Sequence, residues 1–171
     1  LGIEPVFAWY EPWSRRPDLS VQLPSLLRGR RPGERSCTAY GEHEAHGLGA
    51  WLPELEFTHY LPRRSWRNLI DSCRWHLAVT GNPLCAVPYA RLGLPFLAWV
   101  ATPWAADRSE RVRTFSTPRR LLDRGLNAPV LRRLERSVLR APGARILALS
   151  AYTAAELEAI AGRPMEGVLL M

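Results

Sequence analysis

The stretch "ILALSAYTAAELEAIAG", residues 146–162, decides the fold, because a buried strand runs in it directly into a helix. Four apolar residues, Ile146 to Leu149, halt at Ser150. Thr153 and Glu156 then stand at the spacing of a reciprocal capping pair. Tyr152 and Leu157 stand at the positions of a hydrophobic staple around it. Leu157, Ile160 and Ala161 recur at helical spacing, and Gly162 stands where a left-handed residue ends a helix. A strand feeding a capped helix is the unit from which parallel sheets are built.

Working backwards, the same punctuation recurs. Ser65 is placed to cap a helix carrying Trp66, Leu69, Ile70 and Cys73, and "WHLAVT" follows as a buried strand ending at Gly81. In "NPLCAVPYARLG", Asn82 is a candidate N-cap, Pro83 suits the first helical position, Pro88 should split or kink the helix, and Gly93 should end it. "PFLAWVA" reads as the next strand, ending at Thr102-Pro103-Trp104. Two basic helical segments follow, the second opening at Asn127 and burying Leu131, Leu134 and Val138. The expected fold is α/β, a doubly wound parallel sheet in one Rossmann-like domain over residues 1–171, with the strands near 75, 95 and 146 as neighbours.

The first sixty residues are less regular. "VFAWY", "SCTAY" and "LEFTHY" read as short strands and "LSVQLPSLLRG" as a Pro-interrupted helix, while the Gly-rich "GEHEAHGLGAW" reads as an exposed loop. His43 and His46 lie three apart rather than four, so "HEAH" lacks the spacing of a zinc-protease helix, and no metal site is expected. Glycine-rich dinucleotide and P-loop sequences and the serine-hydrolase elbow are equally missing from the sequence.

Composition narrows the classes further. With 171 residues and 47% hydrophobic content the chain can bury a core, and its apolar stretches fall short of the roughly 20 residues that cross a bilayer. Cys37, Cys73 and Cys85 are odd in number and form no C-x-x-C pair, which suits a reducing compartment and a cytoplasmic location. Leu1 is not a start methionine, so a piece of a longer protein is expected. Every basic residue is Arg. Residues 107–145 hold eleven of them against Asp107, Glu110, Asp123 and Glu135, a surplus as large as the net charge of +7 for the entire chain. Such a face suits an anionic membrane surface, nucleic acid or a phosphorylated substrate, or is a solvated helical face.

Ligands of open parallel sheets bind beyond the carboxyl ends of the strands. That rule selects Glu11 to Arg16, Gly81-Asn82, Thr102 to Trp104 and Ser150 to Thr153. Each has a structural alternative: Asn82 and Thr153 suffice as caps, and Trp104 as filler between sheet and basic helices.

"ARILALSAYTAAELEAIAG" resembles the closing strand and helix of the N-terminal domain of GT-B glycosyltransferases of the retaining family-four type, and "GNPLCAVPYARLGLPFLAWVATPW" looks like that domain's earlier strand–helix–strand unit. The similarity covers residues 65–171, and the first sixty only in outline. It implies a transferase using a nucleotide-diphosphate sugar as donor, with no further cofactor, and an acceptor that is a glycan, lipid or small molecule. This chain would be the acceptor-side half, ending at "GVLLM" near the crossing into a missing donor-binding C-terminal domain. Two departures are plain: "YEPWSRRPD" replaces the family's Gly-rich loop, and Thr102-Pro103-Trp104 stands where relatives often carry His. No catalytic residue is therefore assigned within the chain. Trp13 and Trp104 are candidates for stacking on sugar faces, Glu11 for an acceptor hydroxyl and Arg15 or Arg108 for phosphate, with Asn82, Thr102 and Ser150 completing the substrate-binding set. Peripheral membrane attachment through residues 107–145 is a further expectation. The competing class is a non-catalytic basic module on membrane or nucleic acid. Nucleic acid is disfavoured because the arginines lack interleaved aromatic residues.

Overall fold

A computed structural model describes residues 2–12 and 14–168, which divide into two compact units, 1–59 and 60–171. In the first unit, strand β1 (Phe7–Tyr10) runs parallel to β3 (His43–Leu48), which pairs antiparallel with β2 (Glu34–Ala39), giving the order β1-β3-β2. The β2–β3 hairpin turns through Tyr40 and Gly41, both at positive φ. "GEHEAHGLGAW" is therefore largely strand rather than exposed loop, and residues 45–50 are buried. Gly41 serves the turn, whereas Gly47 serves close approach: a Cβ on it would lie 2.5 Å from Glu11 Oε1.

Two other expectations for this unit also fail. "LEFTHY" is a single 3₁₀ turn, Glu56–His59, held by Thr58 Oγ1 donating to Leu55 O (2.8 Å) and Trp51 O, and by His59 Nδ1 against Glu56 O (2.9 Å). These local side-chain bonds outcompete a ladder. Helix α1 is only Leu23–Leu27, with Pro24 in its first turn, so the proline starts the helix instead of interrupting it. Upstream of it Val21 is extended and bridges Trp51.

The second unit opens with helix α2 (Arg64–Ser72), which buries Trp66 and Ile70; Ser65 lies inside it, and Arg63 is its N-cap. Strand β4 (Leu77–Thr80) leads to Asn82, whose Oδ1 accepts from Leu84 N at 3.1 Å, and Pro88 marks the break between a 3₁₀ turn, Pro83–Ala86, and helix α3 (Val87–Leu92). Gly93 ends α3 at φ 69. Then come β5 (Phe96–Val100), α4 (Trp104–Arg113), α5 (Thr117–Leu122), a π-helical turn (Asp123–Asn127), α6 (Ala128–Leu139), β6 (Ala144–Ala148), α7 (Ala151–Ala161) and β7 (Gly167–Val168).

These four strands form an all-parallel sheet in the order β4-β5-β6-β7, a Rossmann-like α/β arrangement with the three expected strands adjacent. The order advances in one direction, so among the described residues this sheet has no reversal point and is not doubly wound. Right-handed crossovers between strands added in one direction put their helices on one side. Burial follows that rule: Ala78, Ala98 and Ile146 are in register and buried, whereas Val79, Trp99 and Leu147, on the other face, are half-buried or exposed. Strand β4 is an edge strand with Leu77 and Val79 exposed, not the buried strand expected.

The covering layer is anchored by α6. Leu131, Leu134, Val138 and Leu139 are all 2% exposed or less, and burying each contributes roughly 1.5–3 kcal/mol. Helix α7 closes the layer. Its N-cap is Ser150, whose Oγ accepts from Thr153 N at 3.1 Å, so the cap falls three residues before the expected Thr153. Tyr152 is accordingly exposed and staples nothing. Gly162 ends α7 at φ 70. No described helix is long and apolar enough to cross a membrane.

Candidate ligand site at the carboxyl edge of the parallel sheet

Three polar residues converge where β4, β5 and β6 end. The backbone ladder runs on past the strands, with Thr102 N donating to Gly81 O (2.8 Å) and Leu149 N to Val100 O (3.0 Å). This aligns Asn82, Thr102 and Ser150 side by side, all half-buried. Thr153, buried in the first turn of α7, ties that helix to β5: its Oγ1 donates to Ala101 O at 2.9 Å and lies 3.0 Å from Ser150 Oγ. Asn82 Nδ2 donates to Asp107 Oδ2 at 3.1 Å, linking the loop after β4 to the first turn of α4. The N-terminus of α7 faces the same edge, bringing the positive end of its dipole.

Beneath this edge the chemistry is quiet. Thr80 Oγ1 donates to Cys85 Sγ (3.1 Å), and burial pushes the Cys85 thiol up, an effect the Thr80 bond partly offsets. Burial likewise raises the Tyr89 hydroxyl to about 12, and it raises the Tyr60 hydroxyl as well.

Two other candidates of the second unit, Trp104 and Arg108, do not join the site. Trp104 is 2% exposed, with the Arg108 guanidinium carbon 5.2 Å from its ring centroid; it fills the space between sheet and basic helices and offers no face to a sugar. Arg108 is buried too, paired with Asp123 and lying against Phe115, so it cannot reach a phosphate in solvent. Glu11 is buried in the first unit and is taken up by Arg35 Nη2 at 3.0 Å, which leaves it unavailable to an acceptor hydroxyl. Trp13 lies outside the described residues. Arg15 is exposed in the first unit, its N–H donating to Pro12 O at 2.9 Å. Elsewhere in that unit, a shallow depression lined by Gln22, Leu23, Pro24, Leu52, Glu54 and Leu55 contains none of the candidates.

His46 is not a solvated loop residue. It is buried on β3, with Nδ1 2.8 Å from Glu34 Oε1 and Nε2 2.8 Å from Glu44 Oε1, so neither ring nitrogen is left for a metal. Among the described residues no group of three His, Cys, Asp or Glu is arranged to hold a metal ion.

Sequence reasoning overlooked Glu135. It is 2% exposed, and its Oε1 accepts from Trp104 N at 2.7 Å, supplying the cap that Pro103 cannot give α4. The signal was present, since Glu135 falls within the buried stripe of Leu131, Leu134 and Val138. Burial raises its carboxyl above the ordinary range, partly offset by the Trp104 N–H and Arg132.

No protein-family model matches the chain, and no curated protein or solved structure shows significant similarity to it.

Proposed function

We propose that the chain is the acceptor-side half of a glycosyltransferase of the GT-B type, which transfers a sugar from a nucleotide-diphosphate donor to a hydroxyl-bearing acceptor. The observation that supports this reading is the alignment of Asn82, Thr102 and Ser150 at the carboxyl edge of three adjacent parallel strands, beside the N-terminus of α7. Amide and hydroxyl groups on a rigid edge suit recognition of a polyhydroxylated acceptor, which needs paired donors and acceptors rather than charge. These residues orient the acceptor hydroxyl, and fixed orientation removes much of the entropic barrier of a two-substrate reaction. Neutralising the departing diphosphate falls to a donor-binding domain outside this sequence. Trp104, Arg108 and Glu11 have structural duties and take no part.

The test is nucleotide release from nucleotide-diphosphate sugars, with and without acceptor extract, by this chain and by the same chain extended with its downstream coding sequence. We expect transfer by the extended protein only. In it, Thr102→Val should raise the acceptor KM about tenfold or more and leave donor hydrolysis nearly unchanged, a loss of uniform acceptor binding. Transfer by the chain alone, or an extended protein with no donor turnover, overturns the proposal.

A further inference from the structure

The helical rod from Thr117 to Leu139 is amphipathic in two senses. Its inner seam is Asp123, Asn127, Leu131, Leu134 and Val138, all buried. Its N-terminal half also carries apolar side chains on the outside: Leu121 is 66% exposed, Leu122 36% and Leu126 39%. The π-helical turn Asp123–Asn127 groups them. At more than four residues per turn, Leu122 and Leu126 stand above one another on one flank, while Leu121 occupies the side opposite the buried seam. Arg133 and Arg136 continue that outer side along α6, with Arg124 and Arg132 on the other flank, and all four are exposed. Leu121 and Arg136 are about 22 Å apart along the axis at helical rise. Exposed Arg119 and Arg120 precede the leucines; Arg119 lies 4.2 Å over the Phe115 ring, and Arg120 Nε and Nη2 donate to Phe115 O and Arg113 O, which fixes the rod's start on α4.

From this surface we infer that residues 117–136 dock the protein on an anionic lipid bilayer. Leu121, Leu122 and Leu126 enter the headgroup–acyl boundary, and Arg124, Arg132, Arg133 and Arg136 lie against the acidic headgroups. Charge complementarity chooses the sign of the partner, and the leucines choose its kind. Phosphates along a nucleic-acid backbone reward the arginines but leave three exposed leucines without a role, whereas a bilayer rewards both. The inference stands on this rod alone and does not depend on sugar transfer.

The experiment is flotation of the chain with vesicles of phosphatidylcholine, and of phosphatidylcholine with about 30 mol % phosphatidylglycerol, over a salt series. Binding is expected only to the acidic vesicles and should weaken as salt rises. Leu121→Ser/Leu122→Ser/Leu126→Ser should weaken it about tenfold or more, and Arg132→Gln/Arg133→Gln/Arg136→Gln on the order of a hundredfold at low salt. Melting curves of the variants check folding, and Leu121→Ser alone, at the most exposed of the three sites, replaces any triple variant that melts early. No vesicle binding, binding indifferent to the leucines, or binding to a duplex oligonucleotide that the leucine variant retains while vesicles fail, each overturns the inference.

Discussion

At the scale of single residues, the most informative side chain is Glu135, a carboxylate placed inside the apolar seam of α6 to cap a different helix. Its stripe position was readable in the sequence, but its partner was not, because the acceptor it replaces is missing only once Pro103 is seen at the N-cap of α4. Burial raises its carboxyl in the folded state. The folded protein therefore holds that proton more tightly than the unfolded chain does. The contribution is fully present below the ordinary Glu range and is lost as pH rises through the raised folded value. Glu135→Gln keeps an acceptor for Trp104 N and removes the titration. In urea unfolding from pH 4 to 8, its stability should fall less with pH than the wild type's, and match or exceed it at neutral pH; parallel curves would show that the carboxylate is solvated. Glu135→Ala leaves the Trp104 N–H unmet and should cost about 1–3 kcal/mol. Asp123→Ala takes the paired carboxylate from the buried Arg108 guanidinium and should cost more, about 3–5 kcal/mol by the same measurement.

Among the elements, two glycines separate what local sequence can reveal from what it cannot. Gly162 was legible at the end of α7 because a left-handed terminator is a local need, and its φ is 70. Gly47 resembles a loop glycine in sequence because its need is non-local: its missing side chain makes room for Glu11 of the neighbouring segment. Gly162→Ala meets only Arg140 Nη2 at 3.4 Å, so it should cost about 1 kcal/mol, the backbone penalty alone. Gly47→Ala forces the buried Glu11 away from Arg35 and should cost at least 1–3 kcal/mol, from overpacking with loss of an ion pair. Equal thermal shifts for the two would remove the close-approach account of β3. The same distinction explains "LEFTHY", whose alternation suits a strand until Thr58 finds Trp51 and Leu55 carbonyls. It also explains why 144–162 is nearly legible in sequence: strand, cap and terminator there all follow from neighbours along the chain.

In the molecule taken whole, the parallel order of β4, β5 and β6 was legible, because alternating strand and helix leave few topologies, whereas the separation of the first three strands into their own sheet was not, because pairing partners are distant in sequence. Strand order bears on binding as well: without a reversal, the described parallel sheet lacks the switch point at which a ligand crevice forms, and its carboxyl edge offers the polar groups of Asn82, Thr102 and Ser150. A few hydrogen bonds from neutral side chains give modest affinity, so the chain by itself should bind a nucleotide-diphosphate sugar or a glycan with a Kd of about 1 mM or weaker. Amide chemical shifts resolve such binding, and the perturbed signals should cluster at Gly81, Asn82, Thr102 and residues 150–153, the loops joined by the Thr102–Gly81 and Thr153–Ala101 bonds. Asn82→Asp keeps the cap for Leu84 N but replaces the Nδ2 donor with a carboxylate facing Asp107, so the Gly81 and Thr102 perturbations should diminish while the fold persists. Perturbations confined to the arginines of 119–136 would instead mark ligand phosphate held by charge alone, and would remove the carboxyl edge as the acceptor site.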